Sequence, residues 1–154
     1  MYITNVSSAG FLIEMSGVSI LMDPWFVGQG FLNGWAPLSY STLTDFPKTI
    51  DLLWVSHEHP DHFSPPSIKA LTKHFSYLPE VIFQETLDNR VAKWFIKNGF
   101  KVKILKNLHE IKIDELEFRL QKFGLYDSIL QIRNKTECFT NLNDASISSK
   151  GDLR

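Results

Sequence analysis

Apolar positions fall in short runs cut by turn residues over most of the chain, and in two stretches they switch to helical spacing. Residues 2–6 and 10–15 are short and β-rich, Ser16-Gly17 signals a turn, and residues 18–22 form a further apolar run. GFLIEM-SG-VSILMD therefore predicts a hairpin, closed by Asp23-Pro24 because proline cannot donate to a ladder. Residues 51–56 (DLLWVS) are apolar almost without a break, the pattern of a strand buried on both faces. Pro65, Pro66 and Ser67 open a helix reaching His74, with Ile68 and Leu71 on one face. A second helix is expected over 87–98, with Val91, Trp94 and Phe95 at helical spacing and Gly99 as its stop. Residues 81–84 and 100–105 read as strands, so this central part alternates strand and helix, which implies helices packed on a parallel or mixed sheet. The last third returns to strands at 109–113, 116–123, 128–133 and 137–142, before a polar end, SISSKGDLR, expected to fray.

Between the first hairpin and DLLWVS runs an irregular stretch, 25–50. It holds Gly28, Gly30, Gly34, Pro37 and Pro47 among Trp25, Phe26, Phe31, Trp35 and Tyr40. A loop longer than about 15 residues in a compact domain is usually functional or disordered. Its aromatics favour an ordered loop, and Trp25, Phe26, Phe31 and Trp35 are candidates for pocket walls or for packing on the core.

Three of the five histidines fall in one hexapeptide, His57-Glu58-His59-Pro60-Asp61-His62, directly after the buried strand. Along an extended backbone His57 and His59 point the same way, and Pro60 redirects the chain so that Asp61 and His62 can turn toward a neighbouring point. Imidazole nitrogen and carboxylate oxygen are zinc donors at about 2.0–2.2 Å, and paired ions roughly 3.5–4 Å apart form a hydrolytic arrangement. The cluster stands at the C-terminal end of a strand, where open α/β sheets bind their ligands. The plainer alternative is a polar surface loop.

HEHPDH resembles the H-x-H-x-D-H signature of the metallo-β-lactamase superfamily, and its context, an apolar strand before and a helix start after, is similar too. GFLIEMSGVSILMDPWF and the aromatic loop behind it are most like the branch holding lactonases, phospholipase D-like phosphodiesterases and sugar-nucleotide hydroxylase-like proteins. The resemblance runs from Tyr2 to Asp144. It implies an α/β fold, an αββα sandwich here incomplete, with the N-terminal half and part of the second sheet in one domain over 1–154. It implies that His57 and His59 bind a first ion, Asp61 and His62 a second, and that Asp144 bridges both. Asp23 would support a ligand histidine or simply shape a turn. Where the family usually has a further histidine this chain has 123–128 (FGLYDS), leaving Tyr126 or Asp127 as oxygen donors, and no histidine follows Asp144. The implied activity is hydrolysis of an ester, lactone or phosphodiester by a metal-activated water, with Asp61 orienting the nucleophile and moving a proton. Zinc is the expected metal, one ion or two, with manganese or iron fitting the same donors. The competing expectation is a non-catalytic, truncated module whose uncovered edge is met by a partner or a second copy.

Composition narrows the remaining choices. Sixteen basic residues against 17 acidic argue against a broad nucleic-acid surface and leave a small-molecule substrate. No apolar run approaches the ~18 residues of a membrane span, and no basic-then-apolar leader opens the sequence. A lone cysteine, Cys138, points to a reducing compartment, so a cytoplasmic location is expected, and its apolar strand suggests a core position. Ser56 shows no base arrangement of its own, His109 reads as a surface residue, and Lys101, Lys103 and Lys106 read as a solvated strand face.

Overall fold

A computed structural model describes residues 1–37 and 41–145; Tyr40 and the polar end SISSKGDLR lie outside the described residues. Six strands form the first sheet in sequence order: β1 (Tyr2–Asn5), β2 (Phe11–Met15), β3 (Val18–Met22), β4 (Leu52–Trp54), β5 (Glu80–Gln84) and β6 (Val102–Leu105). β1, β2 and β3 pair antiparallel, and β3 to β6 pair parallel. The parallel part needs crossovers, and α1 (Pro65–His74) and α2 (Arg90–Lys97) supply two of them. The second sheet is an antiparallel meander of β7 (Glu110–Ile113), β8 (Leu116–Phe123), β9 (Asp127–Arg133) and β10 (Cys138–Asn141).

Side-chain alternation sorts the first sheet into two cores. Leu21, Leu53, Val55, Val81 and Phe83 pack with Ile68 and Leu71 of α1 and Val91, Ala92 and Phe95 of α2. Ile13, Ile20, Met22, Leu52, Trp54 and Ile82 point the other way, onto Leu116, Phe118, Leu120, Leu130 and Ile132 of the second sheet. The layers are helix, sheet, sheet, as in the metallo-β-lactamase fold. The outward face of the second sheet is polar, with Arg133 paired to Glu117 at 2.7 Å and Arg119 near Glu110 at 3.6 Å.

Three expectations change. α2 begins at Arg90, not at 87: the Thr86 and Asn89 side chains each accept from the other's backbone N–H at 3.1 Å, and Asn89 is left-handed at φ 51°. That closed turn leaves Leu87 fully in solvent. Cys138 is exposed rather than in the core, because on β10 Phe139 packs inward and its neighbours must face out. The aromatic loop divides: Trp25 and Phe26 are buried, whereas Phe31 and Trp35 are exposed, their rings tilted against each other with centroids 4.7 Å apart.

The loop is pinned where it matters for the site. Ser64 caps α1 by accepting from Ser67 N–H, and Ser67 Oγ accepts from the backbone N–H of Phe26 and Val27 at 3.0 Å each. Gly10 allows a close approach, since a Cβ there would stand 2.1 Å from Ser7 Oγ and 2.9 Å from the Asp23 carbonyl.

Candidate metal centre

The hexapeptide leaves β4 and folds at once into a tight turn. The His62 N–H donates to the His59 carbonyl at 3.0 Å and the Phe63 N–H to the same oxygen at 2.7 Å. This turn, entered through Pro60, swings Asp61 and His62 back over the strand end. His57 and His62 are buried to 1% exposure, their rings 4.3 Å apart; His59 is exposed, its ring 4.4 Å from that of His57.

Each buried imidazole is met at Nδ1 by polar side chains. Nδ1 of His62 lies 3.1 Å from Asp23 Oδ2, and Nδ1 of His57 lies 3.1 Å from Asp127 Oδ1. Ser56 Oγ stands between them, 3.0 Å from His57 Nδ1 and 3.4 Å from His62 Nδ1. Asn143 Nδ2 also stands 3.1 Å from His57 Nδ1, so with Nδ1 engaged on both rings each presents Nε2. Nε2 of His57 faces His59 Nδ1 at 2.8 Å and Asp144 Oδ2 at 3.8 Å. Nε2 of His62 faces Asp61 Oδ2 at 3.4 Å and Asp144 Oδ1 at 3.5 Å. Donor atoms of His57, His59 and Asp144 all lie within 4.8 Å of one another. All five sequence-predicted ligands thus meet at one place, with Asp144 between the two histidine groups.

Asp23 is wholly buried. Its Oδ1 accepts from Ser56 N–H at 2.8 Å, its own N–H donates to the Trp54 carbonyl at 3.1 Å, and its backbone is left-handed at φ 41°. A left-handed residue before proline is strained, and such strain gathers at functional sites. Asp127 and Asn143 complete the cage, Asn143 Nδ2 donating to Asp127 Oδ1 at 3.1 Å. Tyr126, the other oxygen donor considered, is half exposed, its ring 6.4 Å from that of His59. The hydrophobic pattern did not signal the part played by Ser56, which follows from its place next to His57, nor that of Asp127 and Asn143, which strand ends of the two sheets bring to His57.

Electrostatics fit a cation. Burial, then the neighbouring His62 and His59, push the His57 pKa down to about 4, so its ring is neutral with a free lone pair at neutral pH. For His62 burial disfavours charge, but Asp23, Asp61 and Asp144 outweigh it and raise the pKa. Burial and then Asp144 raise that of Asp127. Among the described residues Oδ1 of Asp61 is buried with no hydrogen-bond partner, a costly state for a carboxylate oxygen unless a cation or donor meets it. Three imidazoles with Asp61 and Asp144 suit zinc, iron or manganese.

A helix–sheet–sheet body carrying a histidine–aspartate cluster at its parallel strand ends defines a metal-binding α/β protein of metallo-β-lactamase architecture. The chain belongs to the β-lactamase superfamily domain family, whose family model matches residues 2–136. Over 165 aligned residues it is 25% identical to cytidine monophosphate-N-acetylneuraminic acid hydroxylase of Xenopus laevis, covering 98% of this chain and 27% of that protein. Over 71 residues it is 41% identical to a Mycolicibacterium smegmatis protein named for a Rieske 2Fe-2S iron–sulfur protein, covering 45% of this chain and 14% of the relative. The chain thus spans less than a third of either curated relative. CmlA, a diiron β-hydroxylase from Streptomyces venezuelae, superposes with a TM-score of 0.75 at 18% identity, over 96% of this chain and 30% of that one. Igni18, a metallo hydrolase from Ignicoccus hospitalis, superposes with a TM-score of 0.70 at 19% identity, over 96% of this chain and 62% of that one. No helix of the described residues is long and apolar enough to cross a membrane.

Proposed function

We propose that the chain holds one or two divalent cations through His57, His59, Asp61, His62 and Asp144 and hydrolyses an ester, lactone or phosphodiester bond in a small molecule. The observation carrying this reading is the convergence of His57, His59 and Asp144 donor atoms within 4.8 Å, with His62 Nε2 3.5 Å from the same aspartate. A bound cation would supply a Lewis acid and a water acidic enough to attack at neutral pH. The residues provide the rest. Asp23 and Asp127 hold the His62 and His57 rings by Nδ1, so that both offer Nε2 to a common centre. Asp61 is a carboxylate beside His62 Nε2 with one oxygen unpartnered among the described residues, suited to orient the attacking water, take its proton and pass it to the leaving group. Zinc is the preferred ion on the histidine count.

A second reading has specific support. The Xenopus relative aligned over nearly the whole chain is a hydroxylase, and CmlA, of closely matching fold, is a diiron one. Asp127, whose ionisation burial and then Asp144 oppose, adds a carboxylate at His57 to those of Asp61 and Asp144 at the Nε2 atoms, and carboxylate-rich surroundings suit iron or manganese. The test is metal analysis of purified full chain after growth with zinc and iron together, followed by hydrolysis assays on an aryl ester, a lactone and bis(p-nitrophenyl) phosphate. Bound zinc with turnover of one of these supports the hydrolase. Bound iron without turnover moves the assignment to oxidative chemistry. A chain that retains no transition metal leaves only the non-catalytic module.

A further inference from the structure

Gln84 ends β5, beside the strand that carries the hexapeptide, and it is wholly buried. Parallel pairing sets Trp54 opposite Ile82, so two residues further on Ser56 and Gln84 stand at the same level. Ser56 lies past the end of β4, so its carbonyl must find donors outside the ladder. Two side chains supply them: Gln84 Nε2 donates to it at 2.7 Å and Ser128 Oγ at 2.8 Å. Both lone pairs of that oxygen are then used. The second N–H of the Gln84 amide donates to the Tyr126 carbonyl, in the turn between β8 and β9.

One amide thus holds the residue before His57 and the residue before Asp127. His57 and Asp127 are the two residues whose side chains meet at 3.1 Å, Nδ1 to Oδ1. Ser128, on the other side of Asp127, is tied to the same Ser56 carbonyl. Asp127 is therefore fixed from both sides to one point of the strand end that carries His57. The tip of the turn is otherwise open to solvent, with Leu125 83% and Tyr126 56% exposed.

The amide's orientation follows from its partners, since the reverse would set Oε1 against two carbonyl oxygens. Among the described residues Oε1 itself has no hydrogen-bond partner. A buried apolar side chain of similar size would carry no such cost. Its neighbours on β5, Val81, Ile82 and Phe83, are apolar core residues. What the amide adds to this strand is the pair of donations.

We propose that Gln84 is a positioning residue of the metal centre: by holding the Ser56 and Tyr126 carbonyls together it sets the reach of Asp127 to His57, and so the direction in which His57 offers Nε2. This rests on the reading of the cluster as a cation site and extends it to a side chain whose hydrogen bonds go to none of the five donor side chains. Gln84 acts through Asp127, so removing both should cost no more than removing Asp127.

The test is a double-mutant cycle in the full chain. Zinc affinity is measured against a competing chelator for the parent, Gln84→Met, Asp127→Asn and the double variant, and imidazole NMR signals are recorded on the same chains stripped of metal. Asp127→Asn should weaken zinc binding about 10–100-fold and Gln84→Met, one step further out, about tenfold. The double variant should bind within about twofold of Asp127→Asn alone, because the amide has no carboxylate left to aim. In the metal-free chain Gln84→Met should move the His57 ring signals and leave those of His74, whose Nε2 meets the Phe46 carbonyl. Ile82→Val, which loosens the same strand without touching either carbonyl, should leave zinc affinity and the His57 signals as in the parent. If Gln84→Met does not fold, Ser128→Ala takes its place in the cycle, with the same non-additivity expected. Unchanged zinc affinity in folded Gln84→Met overturns the proposal. So do losses that multiply in the double variant, or an equal loss in Ile82→Val, which would make Gln84 a residue of the core alone. A parent chain that binds no zinc removes the metal centre itself, and the metal-free His57 signals then decide whether Gln84 sets the Asp127 contact.

Discussion

The two sheets are built to different rules. The first is covered on both faces over its central strands, by helices and by the second sheet, and these are apolar but for Ser19: VSILM, LLW, VIF. The second is covered on one face, and β8 alternates accordingly, with Leu116, Phe118 and Leu120 inward and Glu117, Arg119 and Gln121 outward. The polar cluster sits where the doubly covered sheet ends. A strand sealed on both sides delivers buried Ser56 and His57 to its C-terminal end, where the chain turns out of the ladder and exposed His59 follows. The second sheet contributes from its strand ends, Asp127 from the hairpin and Asp144 beyond β10.

The contrast predicts a graded series of effects. Phe83→Ala, in the core between the first sheet and the helices, should cost about 3–5 kcal/mol in urea unfolding. A loss below about 1 kcal/mol would break the claim that this sheet carries the fold. Next, Asp23→Asn keeps the shape but weakens the hold on His62, and zinc affinity measured against a competing chelator should fall by about 10–100-fold with the fold retained. Unchanged affinity would reduce Asp23 to a turn residue.

Smaller effects follow at the edges. Asp51 joins β3 to the start of β4 by accepting from Ser19 N–H at 2.8 Å and Ser19 Oγ at 2.7 Å, and from Tyr77 at 3.2 Å. Burial opposes its ionisation, but these hydrogen bonds outweigh it and hold its pKa below the usual carboxylate value. The folded state thus favours the carboxylate, a contribution present above the unfolded-state pKa and lost as pH falls through the folded one. Asp51→Asn should therefore cost ~0.5–1 kcal/mol at pH 7, and the gap should close under acid. A gap that widened on acidification would reverse the sign. Least of all, Arg133→Ala on the solvated face of the second sheet should change stability by under ~1 kcal/mol, because its pairing with Glu117 is half exposed. A larger loss would mean that this face is not solvated as described.

The same contrast explains what could be read in the sequence. The first hairpin and DLLWVS were legible because continuous apolar runs between turn signals have few other solutions, and HEHPDH was legible because its donors are adjacent in the chain. The α2 start was misread because Leu87 fits the helical period, while the Thr86–Asn89 hydrogen bonds that exclude it are local side-chain chemistry. Cys138 was misread by its apolar surroundings, although the alternation with Phe139 carries the correct parity. Asp127 was open to the sequence only as one of two oxygen donors, and its approach to His57, like that of Asn143, comes through packing of sheet on sheet, which no local spacing encodes.

The most direct test is the metal content of the full chain after incubation with zinc and removal of excess, beside His57→Ala and His59→Ala variants whose folding is verified by circular dichroism. At least one equivalent should stay with the parent chain, and the exposed His59→Ala variant should lose it while unfolding as the parent does. Equal retention by both variants, or a parent chain that comes through empty, would contradict a cation centre at the end of β4.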